Sequence, residues 1–141
     1  MFIPKIIAVA SFSAAVLLSA CSSQHIVSFK KTVHPILARN CAVCHSPGGI
    51  GYKMTGFSVQ DYATLMKGST FGPLVVPGSS QQSNLIWLLR HGAHPSMNMP
   101  KSCEHLSADD KCTVASEYPR RLPPKQIDMI AQWINQGARD N

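Results

Sequence analysis

Charge is scarce in this 141-residue chain, in which Asp, Glu, Lys and Arg together make up only 14%. Nowhere do like charges gather into a block, so a disordered, charge-solvated tail is excluded. No collagen period, low-complexity tract or heptad run is present, which removes the fibrous and coiled-coil classes. Convincing period-two alternation is missing too, so no sheet is expected. Long apolar runs are confined to one place near the N-terminus, Ile6 to Leu18, and that run is shorter than the roughly 20 residues a membrane span needs. What is there is 45% hydrophobic residues, enough for one compact domain in a chain too short for two ordinary ones.

The N-terminus has the zones of a secretory signal: Lys5, the apolar stretch, then Leu18-Ser19-Ala20-Cys21. Leu-Ser-Ala-Cys resembles the lipobox of bacterial lipoproteins. The resemblance implies cleavage of residues 1–20, lipidation of Cys21 and a membrane anchor, with 21–28 as a tether and 29–141 as the folded domain. The expected location is the bacterial cell envelope, facing the periplasm. Ser22 favours the outer membrane over the inner by analogy with sorting in enteric bacteria, and the cell surface stays open. Cleavage removes Lys5, leaving twelve Lys and Arg against seven acidic residues, a formal +5. Lys30, Lys31, Arg39, Lys53 and Lys67 are spread through the first half of the chain rather than gathered into a stripe, so nucleic acid is not an expected partner. A basic surface suits steering of an acidic protein instead.

Five cysteines need assigning in a compartment where disulfides persist. Cys21 goes to lipid. Cys103 and Cys112 remain as a pair, and a disulfide across that loop of about ten residues would contribute on the order of 2–3 kcal/mol. Cys41-Ala42-Val43-Cys44-His45 is the attachment signature for c-type haem. Two thioethers one helical turn apart reach the two vinyl groups, while the adjacent imidazole lies under the iron. A thioredoxin-like pair expects a preceding strand, and zinc expects a second ligand pair at short spacing. Neither context is present. One covalent haem c, held by Cys41 and Cys44 with His45 as proximal ligand, is the expectation.

The rest reads as an all-α domain of about four to five helices. Val33, Ile36 and Leu37 fall at helical spacing ahead of the motif. Ser58 and Asp61 suggest a capping box for a helix through Lys67 that ends at Gly68. Pro77-Gly78 turns the chain, and Ser79 or Ser80 is the expected cap of a helix through His91. Pro124 opens a final helix to about Gln136, with Ile127, Ile130, Ala131 and Ile134 on one stripe and Trp133 beside them. Trp87, Trp133 and Tyr62 are expected to pack helices or haem rather than to relay electrons.

The sixth iron position decides the chemistry. Candidates cluster in the segment from His91 to Pro100, which holds His91, His94, Met97 and Met99. From about Phe29 to Gly137 the chain resembles the monohaem class I cytochromes c, and in particular the planctomycete-type cytochrome c domains. The resemblance is carried by Val33-His34-Pro35-Ile36-Leu37 before the motif, by Gly72 to Gly78 leading into Ser83-Asn84-Leu85-Ile86, and by Met99-Pro100 ahead of Trp133 to Ala138. It implies a class I cytochrome c-like fold and gives the distal role to Met99, with Met97 as the alternative. The segment of about 101–122, which contains Cys103, Cys112, Glu104, Asp109 and Asp110, departs from the family as an insertion beside the ligand.

The expected activity is electron transfer with unidentified redox partner proteins, without substrate turnover at the iron. The protein is therefore expected to be no enzyme by itself, although it could serve as a subunit of a larger oxidoreductase. Two alternatives stand beside it. One is a haem sensor or peroxidase-like enzyme with an open sixth position, and the other is a non-haem envelope lipoprotein using its CxxC thiols.

Overall fold

A computed structural model describes residues 25–100 and 121–141. Among them the chain opens with a π-helical turn, Phe29–Val33, that runs directly into α1 (His34–Cys41). Then come α2 (Ile50–Thr55), α3 (Tyr62–Lys67), α4 (Asn84–Leu89) and α5 (Pro124–Asn135). The described residues contain no strand, only an isolated bridge between Ser69 and Gly72. The all-α expectation therefore holds for them.

The opening turn is capped by Ser28, whose Oγ accepts from the Lys31 N–H at 3.1 Å. It widens immediately ahead of Pro35, where a missing N–H would interrupt an ordinary α-ladder. The residues that show helical spacing do point inward: Val33 and Leu37 are fully buried, and Ile36 packs at the edge of the same core. That core is built on α5, whose Ile127, Ile130, Ala131, Trp133 and Ile134 are buried and meet Leu85, Ile86 and Leu89 of α4. Phe29 lies between rings, 5.3 Å centroid to centroid from both Tyr62 and Trp133. The polar tips of these aromatics are satisfied: Tyr62 donates to the Ala138 carbonyl and Trp133 Nε1 to that of Arg139, both at 2.9 Å.

Four details differ from the sequence reading. The cap of α3 is Asp61, not Ser58, and its capping box closes with Thr64. Ser58 is buried three residues earlier, where its Oγ accepts from the Gln60 N–H. The fourth helix starts after Ser83 rather than Ser79 or Ser80 and ends at Leu89 rather than His91. Ser83 Oγ accepts from the Val76 N–H at 2.9 Å and donates to the Ser79 carbonyl at 2.8 Å. Residues 79–83 are thereby held in a bend that periodicity alone cannot distinguish from a first helical turn. Trp87 is exposed, unlike Trp133 and Tyr62. Finally, residues 25–28, read as tether, lie against α5: Val27 is buried, its N–H donates to Gln136 Oε1, and Gln132 and Gln136 both donate to the His25 carbonyl.

Candidate functional site

Helix α1 delivers Cys41 as its last residue, and the chain then tightens over it. The N–H groups of Cys44 and His45 both donate to the Cys41 carbonyl, at 3.1 and 2.8 Å. The two thiols thus leave the backbone one turn apart, each half-buried and free. Burial raises both above the ordinary thiol value. Cys41 is pushed up to about 12, chiefly by burial and secondarily by the charge of Cys44. That is opposite to a thioredoxin-like pair, whose nucleophile needs a depressed pKa. Nor do three or more His, Cys, Asp or Glu side chains gather as a metal cage among the described residues.

His45 is held from both sides. Its carbonyl accepts from the Val59 N–H at 2.9 Å, and its ring meets Phe57 edge-on with centroids 5.2 Å apart. Burial lowers the imidazole pKa below its usual 6.5, and the Phe57 backbone opposes this only in part. The ring is therefore neutral at pH 7. Its Nδ1 is buried and makes no well-formed hydrogen bond among the described residues, the Phe57 backbone being the polar group that acts on the ring. A Cβ on Gly51 would fall 2.6 Å from His45 Cε1 and 2.9 Å from Nδ1, so only glycine lets α2 pass this close to the ring. Gly49 is equally confined against the Cys44 carbonyl, and the Tyr52 N–H donates to that same carbonyl at 2.9 Å. Helix α2 is thus laid against the back of the motif. Helix α2 is not foreshadowed in the sequence: Ser46-Pro47-Gly48-Gly49-Ile50-Gly51 after His45 holds three glycines and a proline, residues that disfavour a helix.

The Met-bearing segment starts where α4 ends. His91 takes a left-handed backbone conformation (φ 57°), and its Nε2 lies 3.1 Å from the Met99 carbonyl oxygen. The Met99 N–H donates to the Leu88 carbonyl at 3.2 Å, and the Asn98 side chain accepts from the Ala93 N–H at 3.1 Å. The loop is therefore closed on itself and pinned to the last turn of α4. Met99 and Pro100 are half-buried, whereas Met97 is 47% exposed. His94 is exposed, with its Nδ1 engaged by Ser96 Oγ at 2.8 Å. Cys21, Cys103, Cys112 and most of the 101–122 insertion lie outside the described residues.

A helical chain that ends α1 at the first cysteine of Cys-x-x-Cys-His, backs the histidine with glycine and returns a Met-Pro segment from the end of a later helix has the layout of a cytochrome c-type domain. The family comparison agrees. Residues 41–102 match the family described as Planctomycete cytochrome C, from the first motif cysteine to just past Met99-Pro100. That stretch is a planctomycete-type cytochrome c domain, and haem-based electron transfer is the activity such a domain suggests. No curated protein and no solved structure matches the chain closely enough to count as a relative.

Proposed function

We propose that this protein is a single-haem electron carrier of the cell envelope, with the haem c covalently bound through Cys41 and Cys44 and ligated axially by His45 and Met99. The observation that carries the reading is the geometry of the motif: two free, half-buried thiols one turn apart, beside an imidazole whose Nδ1 edge is packed against Gly51. The ring's other nitrogen, Nε2, is the one left to a metal. When bound, the haem supplies a one-electron iron couple.

The chain's own residues do the rest. Phe57 and the close approach of α2 fix the plane of the His45 ring, and a ligand held by its surroundings needs little rearrangement when the iron changes charge. Met99 is favoured over Met97 because it is half-buried and doubly anchored, whereas Met97 stands at the loop's exposed crest. His91 and His94 each have a ring nitrogen engaged elsewhere. A thioether ligand raises the potential relative to a second imidazole.

The lipobox-like Leu18 to Cys21 supports anchoring at Cys21, with the domain facing the periplasm and passing electrons to protein partners. Among the described residues no helix is long and apolar enough to cross a membrane.

The test is the visible spectrum of the full chain matured in a periplasm with active cytochrome c assembly. One haem per chain, retained through denaturing electrophoresis and showing the weak far-red band of Met-ligated ferric iron, is expected. A high-spin ferric spectrum would instead indicate an open sixth position, and the absence of any Soret band would end the haem reading.

A further inference from the structure

The path of the N-terminal segment carries a consequence for how the domain sits on its membrane. Only Ser22, Ser23 and Gln24 separate Cys21 from His25, a reach of at most about 14 Å. At His25 the chain is already bound to the domain. The His25 carbonyl is gripped by Gln132 and Gln136 at 3.2 and 2.9 Å, Val27 is buried, and the Phe29 N–H donates to Asn141 Oδ1 at 2.8 Å. Between His25 and Val27, Ile26 faces outward and is 66% exposed. In the same segment Lys30 and Lys31 are exposed, and the Lys30 N–H donates to the Asn141 carbonyl at 2.9 Å, which brings the C-terminal residues alongside: Arg139, also exposed, and Asp140, whose carboxylate lies 3.4 Å from Lys30. The exposed side chains of these two segments are therefore three cations against one acid, with Ile26 as a large apolar side chain in the same stretch, a composition that suits an anionic lipid surface.

We propose that this face, formed by residues 25–31 together with 139–140, lies on the bilayer, so that the domain is seated in one orientation instead of swinging on a free tether. The proposal rests on the reading of Cys21 as lipidated. Its functional consequence follows from α1. Phe29 and Cys41 are at opposite ends of the opening turn and α1, roughly 17 Å apart at about 1.5 Å per residue. The seated end is then the Phe29 end, and the Cys41–His45 end lies at the far end of α1, displaced from the anchor by at most the length of that helix.

The experiment is lysine acetylation of the full lipidated protein on phosphatidylethanolamine and phosphatidylglycerol vesicles, read residue by residue by mass spectrometry. The reference is a variant on the same vesicles with a Gly-Ser insert of about 15 residues between Gln24 and His25, which adds a reach on the order of 20 Å. Lys30 and Lys31 are expected to react severalfold more slowly in the native protein than in the insert variant. Lys53 of α2, exposed beside the motif, is expected to react equally in both. If the native protein floats with vesicles and carries its lipid yet Lys30 and Lys31 react alike in the two proteins, the seated orientation is overturned while the lipoprotein reading stands. Protection of Lys53 instead of Lys30 and Lys31 would overturn it as well. If the intact mass shows no lipid and the protein does not float, the lipoprotein reading fails and the seating fails with it.

Discussion

The imidazole Nε2 of His91 stands 3.1 Å from the carbonyl oxygen of Met99, so the second residue after α4 closes the loop that ends in the proposed distal ligand. With the Met99 N–H on the Leu88 carbonyl, this places both backbone polar groups of Met99 under control of the α4 end. Replacing His91 with Ala removes one of the two ties, worth about 1 kcal/mol for a hydrogen bond of this kind. Ferric protein carrying H91A is expected to bind added imidazole or cyanide about fivefold more tightly. Met99→Ala should convert the iron to a form that binds these ligands freely, and Met97→Ala should leave the spectrum nearly unchanged. An exchange of the last two outcomes would move the distal role to Met97.

Gly51 provides a second test. A methyl group at this position would sit 2.6 Å from His45 Cε1, and the buried ring has little room to retreat because Phe57 lies on another side. Gly51→Ala is expected to cost about 1–3 kcal/mol through overpacking. It should also tilt the imidazole, which electron paramagnetic resonance of the ferric protein reads independently of stability. Wild-type spectra and an unchanged urea midpoint would show that α2 does not hold the ring.

The third prediction concerns the core behind the motif. Leu37 is fully buried one turn ahead of Cys41, so its truncation opens a cavity directly under the attachment site. Leu37→Ala should lower stability by about 2–5 kcal/mol in denaturant unfolding. A loss below about 1 kcal/mol would mean the site collapses to fill the space.

Acid should act on α3. The Thr64 backbone N–H, 2.8 Å from Asp61 Oδ1, and then the Thr64 hydroxyl at 2.9 Å hold the Asp61 carboxyl below its ordinary 3.8. A depressed carboxyl stabilises the fold fully above its unfolded-state value and loses that contribution as pH falls through the lower folded-state value. On acidification below 3.8, the Tm of the wild type should therefore fall more steeply than that of Asp61→Asn, which keeps a capping side chain but does not titrate. Parallel Tm curves would remove Asp61 from the acid response.

Much of this was legible beforehand, and the reasons are local. Cys41, Cys44 and His45 are contiguous, so their spacing is covalent, and a helix of Val33 and Leu37 leading into them needs only the 3.6-residue period. Pro124 and the stripe from Ile127 to Ile134 mark α5 in the same way. Other features were not legible. Ser79, Ser80 and Ser83 are equivalent caps on paper, and what separates them is the bond from the Val76 N–H to Ser83 Oγ, a contact across a turn. Trp87 and Trp133 are the same residue type on apolar helices, yet only Trp133 is enclosed, because α5 is the helix that both the opening turn and α4 pack against.

By itself, the sequence determined the chemistry on offer and the class of fold: thiols and an imidazole at attachment spacing, helices with one apolar face each, and too little charge to remain unfolded. Tertiary structure alone decided how those groups are conditioned. Burial raises the Cys41 and Cys44 thiols and lowers the His45 ring from their ordinary pKa values, the approach of α2 allows only glycine at position 51, and residues 25–28 become part of the folded body through Gln132 and Gln136. These properties depend on segments far apart in the chain meeting at a few ångströms, and solvent exclusion and close approach arise only when they do.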